Sequence, residues 1–112
     1  MHVDWFKELD AAVTVCDADG KILYMNSGSI KSFENDGGSD LIGKNLFDCH
    51  PGDSADKLKN LLEKKVNNCY TIEKKGIKKM ILQTPWFQNS EYKGFIEISF
   101  PIPEVMPHFL RE

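Results

Sequence analysis

The strongest constraint in the sequence is Cys69–Phe100, where three runs of strand character follow one another with only turns between them. Cys69–Lys74 (CYTIEK) meets Lys75-Gly76, then Ile77–Trp86 (IKKMILQTPW), the polar loop Gln88–Lys93, and Gly94–Phe100 (GFIEISF). Gly76 can take the positive φ of a tight hairpin, and the second loop is short enough to return the third run beside the second. A meander of this kind is stable only when one of its faces is covered. The rest of the chain therefore has to supply the cover.

A chain of 112 residues fits one domain with a real core. With 41% hydrophobic and 28% charged residues it is neither disordered nor built to span a membrane. No apolar run approaches bilayer length, and the start lacks a basic-then-apolar leader, so a cytoplasmic protein without membrane contact is expected. The net charge of −3 argues against nucleic acid. Lys74, Lys75, Lys78 and Lys79 flank a hairpin tip and read as a solvated turn. Cys16, Cys49 and Cys69 are odd in number, widely spaced and without a CxxC, which argues against a disulfide framework or structural zinc.

Upstream of the meander, His2–Leu9 puts Val3, Phe6 and Leu9 on one helical face with Trp5 beside them, a short amphipathic helix. Ala12–Asp17 alternates and is rich in β-branched residues. Asp17-Ala18-Asp19-Gly20 is a turn, and Lys21–Met25 is the second strand of a hairpin. Asn26 or Ser27 can cap one or two helical turns carrying Ile30 and Phe33. Asn35-Asp36-Gly37-Gly38 is loop by composition, Ser39 or Asp40 can cap a turn that Gly43 stops, and Asn45–Gly52 reads as irregular. Asp53 or Ser54 caps the best helix, Ala55–Val66, with Leu58, Leu61, Leu62 and Val66 as its stripe. Residues 101–112 form a Pro-rich tail that supports no regular element. Two strands, several helices and three strands pack most economically as an α+β fold, an antiparallel sheet with helices on one face.

These segments in this order resemble a PAS domain. The likeness is carried by AVTVCDADGKILYMN, by LIGKNLFDCHP before the long helix, by the hairpin EKKGIKKMILQTPW and by EYKGFIEISF. It spans about residues 8–100, and the CHP after GKNLF is similar to a subgroup with a histidine there. The resemblance implies a five-stranded antiparallel sheet in the order 2-1-5-4-3, with helices enclosing a pocket on one face. It also implies a non-catalytic module for sensing or dimerisation, one that signals to an output domain or partner protein not encoded in these residues. Where flavin-binding light sensors carry a cysteine in a GxNCRFLQ-like segment, this chain has Leu46, which argues against a flavin photoadduct. The same segment resembles the chromophore region of photoactive yellow protein, but with the cysteine out of register. The chain leaves through Phe100-Pro101-Ile102-Pro103 rather than Asp-Ile-Thr.

In the PAS register Phe95, Glu97 and Ser99 face the pocket, as do Ile81 and Gln83. From the residues alone the opposite register, with Glu97 solvated, stands equally. An inward carboxylate would mark a polar ligand contact, because it must find a donor or a proton. His50 and Cys49, with Phe47, lie at the expected pocket lip. His50 could contact a ligand, could ligate haem iron, or could serve only the helix entrance that Pro51 begins. Met80, Leu82, Trp86 and Ile98 would then lie on the outer face. With Trp5 and Phe6 they make more apolar surface than a lone sheet exposes, so a homodimer interface is expected there, or else cover by the chain's own N-terminal helix. Catalysis is not expected, since Cys49 and His50 are adjacent and point apart in extended backbone. The expected function is binding of an unidentified small molecule, with a ligand-free dimerisation module and a haem sensor as the alternatives.

Overall fold

The computed structural model describes residues 4–49 and 53–112, with the backbone alone at 49 and 53–55. His2, Val3, His50 and Pro51, to which the sequence assigns roles, lie outside the described residues. Strand β1 (Ala12–Asp17) and strand β2 (Ile22–Met25) form the first hairpin. Its tip is held by the Asp17 carboxylate, which accepts from the Asp19 and Lys21 amides at 3.0 and 2.9 Å. Helix α1 (Ser27–Ser32) follows, then 3-10 turns over Glu34–Asp36 and Gly38–Leu41. Helix α2 (Leu46–Cys49) and the long helix α3 (Asp53–Lys64) precede β3 (Asn68–Lys74), β4 (Ile77–Gln88) and β5 (Glu91–Pro101). All strand pairs are antiparallel and the sheet order is β2-β1-β5-β4-β3.

Both hairpins of the meander turn on two residues with positive φ, Lys75-Gly76 (53° and 77°) and Asn89-Ser90 (53° and 66°). This is the turn whose twist matches paired strands. The loop expected over Gln88–Lys93 is therefore a tight turn, and its polar flanks belong to the strands. Between Gly94, which pairs with Trp86, and Tyr92, which pairs with Phe87, β5 carries one extra residue, Lys93. This bulge needs a glycine beside it. Gly94 sits at φ 149°, and a Cβ there would run into the Cys16 carbonyl oxygen of β1.

The helices cover one sheet face. Cys16, Leu62 and Phe95 form one buried cluster, with Leu46, Phe47, Leu58, Leu61 and Tyr92 packed on it. Ile22, Met25 and Leu41 form another beside Ile30 and Leu46. On the opposite face Trp5, Phe6 and Leu9 lie over Val13, Val15, Tyr24, Ile96 and Ile98. That N-terminal cover consists of turns rather than the expected helix. The Phe6 carbonyl accepts from the Asn26 side chain at 2.9 Å as well as from the Leu9 amide at 3.4 Å, and the Lys7 carbonyl accepts from the Ser27 amide at 2.9 Å, so both acceptors are drawn toward α1 and away from a helical ladder. Likewise 46–49, read as irregular, form one helical turn, which the Asn45 side chain starts by accepting from the Phe47 amide at 2.9 Å. Among the described residues no helix is long and apolar enough to cross a membrane.

Candidate functional site

Strand register lines up four polar residues across the face that the helices cover. Asn68 stands opposite Gln83, Gln83 opposite Glu97, and Glu97 opposite Thr14, on β3, β4, β5 and β1 in turn. The Asn68 amide donates to Gln83 Oε1 at 2.9 Å, and Gln83 Nε2 donates to Glu97 Oε1 at 3.2 Å. A carboxylate only accepts, so it orients the Gln83 amide, which in turn orients Asn68. At the other end the Thr14 hydroxyl shares a 2.5 Å hydrogen bond with Ser29 of α1. The row thus runs from the far edge of the sheet to the first helix, with Glu97 at its centre.

The space between this row and the helices is not filled. A cavity of about 330 Å³ lies on the β1–β2 side, walled by Ile22, Met25, Leu41 and Leu46, with Thr14 and Glu97 on its floor. A small one of about 60 Å³ under α3 joins Leu46, Leu58 and Leu61 to Gln83, Phe95 and Glu97. A third, about 340 Å³, opens toward β3 between Lys57, Asn68, Tyr70 and Glu97. Glu97 borders all three, so one carboxylate is common to the whole crevice region between sheet and helices.

Electrostatics around the carboxylate follow from the same packing. Burial pushes the Cys16 thiol up, the Phe95 backbone pulls it partly back, and the charges of Asp17 and Glu97 add to the rise. Cys16 is therefore a protonated thiol at neutral pH, unsuited to act as a thiolate ligand or nucleophile. Burial also raises the Tyr70 phenol, with the Glu97 charge behind it. Tyr92, raised by burial and then by Cys16, donates to the Leu62 carbonyl at 3.1 Å and ties β5 to α3.

Of the residues expected at the pocket, Gln83, Phe95 and Glu97 line the crevice, and the inward register of Glu97 holds. Ile81 is buried core on the same face, and Phe47 packs on the Cys16 cluster with Lys59 Nζ 5.3 Å from its ring centre. Neither borders the three cavities. Cys49 ends α2, with its side chain outside the description, and His50 lies outside it altogether. Thr14, Asn68, Tyr70 and Asp36 belong to the site and escaped the sequence reading. Two-residue turns make register countable, and counting back from Lys75-Gly76 does place Asn68 opposite Gln83. Of the outer-face residues, Phe6 and Ile98 pack in the N-terminal cover and Trp5 is 68% exposed. Leu82 pairs with Ile98 and Met80 with Phe100. Trp86 crosses over Gly94, its indole N–H donating to the Cys16 carbonyl at 3.0 Å, so it braces β4 against β1.

A family model described as the PAS fold matches residues 6–68, more than half of the chain. The chain belongs to the PAS fold family. Solved structures extend the likeness beyond residue 68. The PAS domain of BvgS from Bordetella pertussis superposes with a TM-score of 0.67 at 18% identity, over 88% of this chain and 81% of that one. The Aer2 receptor from Vibrio cholerae, described as a dual PAS-heme oxygen sensor, gives 0.63 at 13% identity, over 83% and 95%. A sensory box sensor histidine kinase from Vibrio cholerae gives 0.60 at 19% identity, over 90% and 86%. At such identities the likeness is one of fold. No curated protein matches the chain in sequence. The sheet order 2-1-5-4-3 expected of a PAS domain is the order observed.

Proposed function

We propose that this PAS domain is a non-catalytic sensory module that binds a small molecule in the crevice between sheet and helices. PAS domains are in general sensory modules of signal-transduction proteins, and the solved relatives include a receptor and a histidine kinase. The observation that carries the reading is the crevice itself: apolar walls with one oriented carboxylate at the centre, the composition of a ligand site rather than of a filled core. Fragment screening by amide NMR tests it. Bound fragments are expected to shift Thr14, Leu46 and Glu97, and Leu46→Trp, which fills two of the cavities, is expected to abolish those shifts. A library without any fragment that moves these resonances would defeat the reading, as would binding that Leu46→Trp leaves unchanged.

The outer face supports self-association as a second property. Trp5, 68% exposed, stands over a wholly apolar cleft of about 290 Å³ between the N-terminal turns and the sheet. Trp5→Glu is the probe of choice, because Trp86→Glu would break the indole bond to β1. Sedimentation should show a dimer that this substitution dissociates, and a monomer at high concentration would count against it.

A further inference from the structure

We infer that the free edge of β3 takes an added strand from a protein partner, an extended segment whose acidic end lies beside the β3–β4 turn. The sheet has two edges, and the chain treats them differently. β2 is short and its outer side is closed: the Ile22 amide donates to the Lys44 carbonyl at 2.9 Å, the Gly43 amide donates to the Ile22 carbonyl at 2.7 Å, and Lys21 bridges to Asn45. β3 ends the sheet on the other side, and among the described residues no backbone group pairs with it there. Edge strands are ordinarily blunted by shortness, proline, a bulge or charge. β3 is seven residues long, holds no proline, carries charge only at Glu73 and Lys74, and keeps register with β4 through all seven pairs. Its outward polar groups follow from the turn. Lys75-Gly76 is a two-residue turn, so Lys74 and Ile77 close it as a hydrogen-bonded pair, and every second residue back along β3 bonds β4 likewise. Cys69, Thr71 and Glu73 then point their N–H and C=O groups away from the sheet, where an added strand pairs.

Charge names the partner. Residues 57–79 hold eight lysines against two glutamates, whereas the other residues hold fifteen acidic side chains against six basic ones. Lys74, Lys75, Lys78 and Lys79 surround the turn, and Glu73, opposite Lys78, is the one carboxylate in the β3–β4 hairpin. A second copy paired antiparallel would set each turn against the other's Lys64 and Lys65, which lead into β3, and like charges repel. Nucleic acid would answer the lysines but not the strand edge, nor Tyr70 and Ile72, which are 41% and 40% exposed along it. Tyr70 and Ile72 share a face with Lys74 and Lys79. The fitting segment therefore alternates apolar residues beside Tyr70 and Ile72 and carries acids beyond them, beside the lysines. Run antiparallel to β3, it enters acid-first.

The probe is a capped eight-residue peptide, three aspartates followed by alternating valine and threonine, titrated into the full chain and followed by NMR. At saturation the Cys69, Thr71 and Glu73 amides should shift and exchange hydrogen at least tenfold more slowly. A peptide with lysines in place of the aspartates should bind at least tenfold more weakly. Thr71→Pro removes an outward N–H without touching the ladder to β4, and it should abolish binding while the remaining amides report the fold. Lys74→Glu combined with Lys79→Glu leaves the backbone edge intact and should reverse the preference between the two peptides, which keeps the test decisive if the proline variant unfolds. An acidic peptide that does not bind overturns the proposal. So does binding that leaves exchange in β3 unchanged, or a short single-stranded DNA that binds as tightly as the peptide. Slowed exchange at the same amides on raising the protein concentration alone would give the edge to a second copy and overturn it too.

Discussion

Asn26 is the side chain whose removal should cost this fold most for its size. It is 1% exposed, and both ends of its amide are fully employed. Its oxygen accepts from the Val13 amide at 2.8 Å and the Ser29 amide at 2.9 Å, so it caps α1 and pins that helix to β1. Its nitrogen donates to the Phe6 and Ala11 carbonyls, both at 2.9 Å, and so holds the N-terminal turns over the outer face. Asn26→Ala strands two N–H groups in a dry site, at about 1–3 kcal/mol each before relaxation. The Phe6 and Ala11 carbonyls are only partly buried and recover water, which limits their share to about 0.5–1 kcal/mol apiece. Relaxation trims the sum, and about 3 kcal/mol is expected. That is a large part of the roughly 5–15 kcal/mol that a domain has in total. With a urea slope of about 1.5 kcal/mol per molar, the midpoint should fall by about 2 M. Trp5 fluorescence should report loosening of the N-terminal turns ahead of global unfolding. A shift below about 0.5 M would refute the account, because it would mean that water or a neighbour replaces all four bonds at no cost.

Ser90 takes φ 66° without being glycine, so Ser90→Gly should stabilise the protein by roughly 0.5–1 kcal/mol in thermal or urea unfolding, and a loss of stability would contradict the turn assignment. Cys69, exposed, should react with a thiol reagent at once, whereas Cys16 should react only as fast as the protein opens. The raised Cys16 thiol also sets a sign. Above about pH 8.5 an unfolded thiol loses its proton before the folded one does, so stability falls as pH rises through that range. Cys16→Ala should show a shallower fall there, and an unchanged slope would assign the alkaline loss to other groups.

The fold was legible because its units are local. Alternation in 12–17, the aspartate-glycine tip after it and the stripe on 55–66 each declare an element, and their order leaves few packings. The N-terminal segment departs from its pattern because its apolar spacing fits a helix while its carbonyls are claimed from a distance by Asn26 and Ser27. No local pattern records such a claim. Tertiary bonding overrode propensity there. The ladder of Asn68, Gln83, Glu97 and Thr14 is a different case. Its members are ordinary polar residues far apart in the chain, and only register gathers them.

One residue decides that register. Counted straight back from the Asn89-Ser90 turn, the partner of Gln83 would be Ile96, and the isoleucines of β5 would face the helices while Glu97 faced out. Lys93, the extra residue of the bulge, delays the pairing by one position and brings Glu97 opposite Gln83 instead. Deleting Lys93 therefore pits two demands against each other. Either β5 slips against β4 and exchanges its faces, or it keeps its pairing with β1 and strains the hairpin. Each route breaks the Gln83–Glu97 bond or buries a carboxylate elsewhere, at a cost of several kcal/mol. The expected result is a urea midpoint lowered by more than 1 M, with loss of any ligand response at Thr14 and Leu46 even where the variant still folds. Retention of both the midpoint and the response would show that the carboxylate is aimed by something other than the bulge. The pairing with β1 would then be what aims it, because β1 and β4 grip β5 from either side and the bulge is what lets both grips agree.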